Sequence, residues 1–121
     1  MKLLITIVQA YDSDRLLRAM TAAGMGATKI NSIGGFLRMT NATILMAIDS
    51  ERVPEAIQAI SEIARRRVEV KMDATEAEYS DWFAGGFHEV SIGGAVVFVM
   101  PMDALYHIYP DRIDRHDKAP V

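Results

Sequence analysis

Residues 27–48, ATKINSIGGFLRMTNATILMAI, decide the fold. Residues 27–34 carry weak strand character, whereas residues 42–48, ATILMAI, are a continuous apolar and β-branched run that predicts a strand. Between them Gly34-Gly35 breaks the pattern and Arg38-Met39-Thr40-Asn41 reads as a turn. Two strands around one turn make a hairpin.

Working outward, residues 2–9, KLLITIVQ, read as a short strand buried on both faces. Asp12-Ser13-Asp14 supplies N-cap chemistry. Leu16, Leu17, Met20 and Ala23 follow at helical spacing, and Gly24 stands where a C-cap glycine belongs, so a helix is predicted over 13–23. After the hairpin, Asp49-Ser50 offers a second cap, with Pro54 tolerated in the first turn. Val53, Ile57, Ile60 and Ala64 share one face, and Arg65-Arg66-Arg67 closes the helix where positive charge complements the dipole. Residues 68–72, VEVKM, alternate as a half-exposed strand. Residues 73–87 form an acidic loop carrying Trp82 and Phe83, and AVVFVM after Gly93-Gly94 is another apolar strand. Met102–Tyr109 reads as a short helix begun by Asp103, and residues 110–121 as a mobile tail.

The order is β-α-β-β-α-β, which predicts an α+β, ferredoxin-like domain: an antiparallel sheet covered by two helices. It spans residues 1–109, with a long variable loop at 73–88 before the last strand. A chain of 121 residues that is half apolar suits one such globule. Thirteen basic against sixteen acidic side chains leave a net charge of −3, without the broad basic face that duplex DNA or an anionic membrane requires. The absence of cysteine excludes disulfides, zinc ribbons and thiol nucleophiles. No apolar run reaches the ~18–20 residues of a membrane span. Gln9, Asp12 and Asp14 interrupt the N-terminal run before any cleavage-like site, so a cytoplasmic location is expected.

Catalysis finds no support. His88, His107 and His116 have no spacing that suggests a shared metal, and no G-x-S-x-G, H-E-x-x-H or P-loop occurs. The carboxylates read as solvated surface charge. No enzyme, metal or cofactor is expected.

The informative chemistry lies in the hairpin. Gly34-Gly35 followed by Phe36 is more glycine than a turn needs. Glycine lets backbone approach a ligand closely, an aromatic face stacks on a base for roughly 1–3 kcal/mol, and Thr28 and Asn41 offer hydrogen bonds to a phosphate or a purine edge. These residues form either a small nucleotide site or a flexible hairpin tip with Phe36 packed on a neighbour. Elsewhere, Met20, Met46 and Met100 read as adaptable core filler. Trp82 and Phe83 either dock on a partner or anchor their own loop.

At this point the sequence resembles the cyclic-di-AMP receptor family of PII-like signal transduction proteins. The matching residues are Met1-Lys2-Leu3 through Gln9, Asp12-Ser13 with Arg15-Leu16-Leu17, Thr28-Lys29, Gly34-Gly35-Phe36-Leu37, and Asn41 with Thr43. Further on they are Val90, Ile92-Gly93-Gly94-Ala95, Val97-Phe98-Val99, Pro101 and Asp103, so the resemblance covers residues 1–108 or so. It implies a homotrimer of ferredoxin-like subunits with cyclic-di-AMP in each cleft between neighbours, a protein target downstream, and no catalysis. It also implies that Thr28 and Lys29 stand at the ligand and that Gly35, Phe36 and Leu37 line the adenine pocket. Asn41 would hydrogen-bond the ligand, Ala47 would mark where the strand passes it, and Phe98 would be an apolar wall, offered by the adjoining subunit. Gly26 stands where close members carry a basic residue, and residues 73–87 are acidic and aromatic rather than Gly- and Pro-rich. The competing expectation is a trimeric scaffold that binds a different nucleotide or none and acts through the acidic-aromatic loop. An RNA-binding role is disfavoured by the negative charge and the lack of paired exposed aromatics.

Overall fold

The structure is a computed structural model and describes residues 1–32, 40–72 and 87–120. Four strands form one antiparallel sheet: β1 (Lys2–Gln9), β2 (Ala27–Ser32), β3 (Asn41–Ile48) and β6 (Ala95–Pro101), in the order β2-β3-β1-β6. Two helices, α1 (Ala10–Ala22) and α2 (Val53–Ala64), pack on one face. The expected hairpin is the β2–β3 pair, with Thr28 opposite Leu45. Outside the sheet stand two ribbons: β4 (Arg67–Met72) with β5 (Phe87–Ile92), and β7 (Leu105–Ile108) with β8 (Ile113–His116).

The core lies between the helices and one sheet face. Leu4 and Val8 of β1 and Ile44, Met46 and Ile48 of β3 meet Leu16 and Met20 of α1 and Ala56, Ile60 and Ala64 of α2. Each large aliphatic side chain so buried contributes about 1.5–3 kcal/mol. On α2 the inward row is Ala56, Ile60 and Ala64, at i, i+4 and i+8, so the expected stripe is turned by one position and Ile57 points outward. Strand β1 is not buried on both faces. Leu4, Thr6 and Val8 are fully covered, while Leu3, Ile5 and Ile7 are half-buried, because the helices cover only one side of the sheet.

Helix α1 begins at Ala10, three residues before the expected start at Ser13. Ser13 Oγ donates back to Ala10 O at 2.8 Å, and Asp12 sits in the first turn. Its end follows expectation. Gly24 takes φ +74°, Met25 N donates to Met20 O and Gly24 N to Thr21 O, which is a Schellman cap with the apolar pair Met20–Met25 beneath it. Helix α2 follows a short 3-10 turn, Ser50–Arg52, and ends at Ala64, before the arginine run. Its last carbonyls are met by Arg15, whose guanidinium donates to Ile63 O at 3.0 Å, and by Gly94 N, which donates to Ala64 O. Arg67 opens β4 instead of closing the helix.

The β4–β5 ribbon is rooted at Gly93-Gly94, where φ is +92° and +91°. At Gly93 a Cβ would collide with the carbonyl of Arg65, so only glycine fits. Gly93 N also donates to the buried Gln9 Oε1 at 2.7 Å. The ribbon takes up Phe87 and His88, so the variable loop is shorter than expected at that end. Trp82 and Phe83 lie outside the described residues.

The stretch after β6 departs most from expectation. Met102–Tyr109 is not a helix, and residues 105–108 form β7. Leu, Tyr, His and Ile favour a strand, and the partner that realises this preference, β8, lies in the segment expected as a tail. Tyr109 N donates to Arg112 O at 2.8 Å to close the turn, the Arg112 guanidinium lies 4.0 Å over the Tyr109 ring, and His107 stacks on Tyr109 at 3.9 Å.

Candidate functional site

The sheet face away from the helices is apolar and uncovered over much of its area. Leu3, Ile5 and Ile7 of β1, Leu45 and Ala47 of β3, and Phe98 and Met100 of β6 share it by strand alternation. Phe98 is 41% exposed and Met100 45%, so Met100 is not the core filler expected from composition.

At one corner of this face a cleft of about 490 Å³ opens over the ends of β1, β2 and β3. Its floor is Leu3, Leu45 and Ala47 with Ala27, Thr28 and Met46. Gly26 stands at its edge, and Met102, Leu105 and Pro120 form the opposite wall. Among the described residues every lining side chain is neutral, and the Thr28 hydroxyl is the one side-chain hydrogen-bonding group. Such a lining suits a flat, uncharged ring system with a single directed hydrogen bond better than it suits a phosphate.

The cleft brings together two of the expected site residues, Thr28 and Ala47. Lys29, next to Thr28, alternates to the helix side of β2, where its Nζ lies 2.9 Å from Asp14 of α1. The hydrogen bond and the charge of Lys29 hold the Asp14 carboxyl below the usual carboxylate range. Asn41 opens β3 opposite Gln9 and is buried, but it lies six residues from Ala47, about 20 Å along the strand.

Phe98 is also apart from the cleft within one chain. Thr28, Leu45, Ile5 and Phe98 occupy one row across the sheet, so Thr28 on one edge strand and Phe98 on the other are three strand spacings apart, about 14 Å. Gly35, Phe36 and Leu37 lie outside the described residues.

Leu105 and Pro120 were not legible as site residues. Leu105 sits in the segment read as a helix and Pro120 in the segment read as a tail, and no local pattern tells a chain end that it will fold back onto a sheet. Beside the cleft, a hollow of about 30 Å³ lies between Asp49, Arg52, Gly24 and Ala119. Arg52 is engaged there by Glu55 at 3.1 Å and donates to Ala23 O at 2.8 Å, and that pairing keeps the Glu55 carboxyl below its usual range. Among the described residues, no helix is long and apolar enough to cross a membrane.

Residues 1–108 match the sequence model of a family described as cyclic-di-AMP receptor. In three dimensions the chain is similar to the crystal structure of a functionally unknown protein from Pediococcus pentosaceus ATCC 25745. The two are 33% identical, and they superpose with a TM-score of 0.69 over 88% of this chain and 96% of that one.

Proposed function

This chain belongs to the cyclic-di-AMP receptor family, and from that premise we propose that it is a PII-like sensor that binds cyclic-di-AMP in clefts between the subunits of a homotrimer and signals by binding alone, without catalysis. The observation that carries the reading is the neutral cleft holding Thr28 and Ala47 at the edge of an apolar, uncovered sheet face. Apolar faces of this breadth mark association surfaces.

Assembly by a ring of like subunits joins two different surfaces of each copy. In such a ring the β6 edge of one subunit lies beside the β2 edge of the next, so that Phe98 of one copy faces the cleft of its neighbour. Phe98 and Thr28 stand at opposite edges of one sheet row, which supports this arrangement and gives a reason for a site shared between subunits. In this reading Phe36 and Leu37 meet the adenine base, Gly35 allows the backbone to approach, and Asn41 bonds the ligand. Ligand binding then shifts the loop population, and the difference in affinity between the two loop states is the whole of the signal available to a protein target.

Titration calorimetry tests the reading. Cyclic-di-AMP is expected to bind, ATP and ADP to bind more weakly, and Phe36→Ala to lose most of the affinity. An absence of binding to all three nucleotides overturns it.

A further inference from the structure

Part of the cleft's wall lies beyond the family-matched span. Residues 109–120 lie beyond that span. They turn at Tyr109–Arg112, pair β8 with β7, and run on until Pro120 lines the cleft across from Thr28 and Ala47. Within the hairpin Arg115 bridges Asp117 at 2.9 Å and the Tyr106 hydroxyl at 3.1 Å. The segment meets the body of the domain at Asp49, whose Oδ1 accepts from Ala119 N at 2.7 Å in a partly buried site. Asp49 precedes the 3-10 turn without capping it through its side chain, so its carboxylate is available for this clasp. The segment passes Gly26 at ordinary contact distance, with Pro120 O 3.7 Å from where a Cβ would stand.

We infer that Ala119 and Pro120 are part of the ligand site, as the outer part of its wall held in place by Asp49, and that they contribute apolar surface to the base rather than contacts to phosphate. The inference rests on the nucleotide reading of the cleft given above. Pro120 and Leu105 bring no charge, and proline forfeits almost no side-chain freedom when it is held against a ring. With the segment docked the cleft still holds about 490 Å³, so the segment walls the cleft and does not plug it. A backbone hydrogen bond to one carboxylate is a light fastening, and a base packed on Pro120 favours the docked state by mass action. Occupancy of the cleft is thereby coupled to order in residues 119–120.

The experiment compares four proteins by calorimetry with cyclic-di-AMP: the full chain, a variant lacking residues 119–121, Asp49→Ala and Asp49→Asn. Removal of the wall is expected to weaken binding roughly tenfold, and Asp49→Ala to follow it in the same direction. Asp49→Asn keeps an oxygen that accepts from Ala119 N and is expected to retain the affinity. In the full chain, hydrogen exchange at the Ala119 amide is expected to slow when ligand is added. Circular dichroism establishes that each variant is folded, and the Asp49 pair carries the test if the truncated chain is not. Unchanged affinity in the truncated or Asp49→Ala chain, or Ala119 exchange indifferent to ligand, overturns the wall while leaving the nucleotide site standing. A full chain that binds no adenine nucleotide overturns the parent reading, and the wall with it.

Discussion

The carboxylate of Asp12, fully buried in the first turn of α1, lies 2.7 Å from the guanidinium of Arg67 at the root of β4. Fifty-five residues separate the two in sequence. The helix N-terminus favours the negative charge, and Arg67 also donates to Arg65 O at 3.0 Å and lies 5.5 Å over the Tyr11 ring. This pair, together with Gln9–Gly93, ties the β4–β5 ribbon to the junction of β1 and α1.

Asp12→Ala is expected to destabilise the fold by about 3 kcal/mol, the low end for a broken buried pair, because Arg67 keeps 22% of its side-chain surface in water. Urea unfolding measures the loss. A change below about 0.5 kcal/mol, as for an ordinary surface substitution, contradicts the role given to the pair.

Ile5 sits at the centre of the uncovered sheet face, between Leu45 and Phe98 in register. Ile5→Glu places a charge in the proposed subunit contact without entering the helix-covered core. Light scattering is expected to fall from the mass of three chains to that of one, with far-ultraviolet circular dichroism unchanged. A folded variant that keeps the trimer mass shows that the chain does not assemble through this face.

Gly26 stands at the edge of a cleft whose lining carries no charge among the described residues, and a Cβ there meets Pro120 O at ordinary contact distance. Gly26→Arg is expected to strengthen binding of the doubly negative cyclic-di-AMP by about tenfold at low salt, through a charge-assisted contact to phosphate. The gain is expected to shrink as salt rises, since an exposed cation is screened. An adenosine control without phosphate separates charge from shape, because its affinity is expected to stay the same.

Asp14 titrates below the usual carboxylate range because Lys29 donates to it. A carboxyl whose folded value is depressed stabilises the fold above its unfolded value, and that contribution disappears as pH falls through the folded one. Lys29→Met is expected to return Asp14 to the ordinary range, read by NMR titration, and to remove the small acid-dependent stability term. Cyclic-di-AMP affinity is expected to be unchanged, since Lys29 faces the helices. A large loss of affinity in Lys29→Met would move this residue into the site.

The sequence by itself determined the central β-α-β-β-α-β order, because each of those elements writes its own period: the apolar run of 42–48, the helical spacing of Leu16 and Met20, and Gly24 just past the helix end. Thr28 and Ala47, named through the resemblance that surrounds them, line one cleft. Tertiary structure alone decided which side of β2 Lys29 takes, since neighbouring strand residues face opposite ways and only the placement of α1 makes one of them the helix side. It alone decided the strand character of residues 105–108, because a short β-prone stretch stays a strand only where a partner completes its hydrogen bonds. Pro120 reached the cleft, and Asp12 reached Arg67, through long-range packing that leaves no mark on the residues beside them.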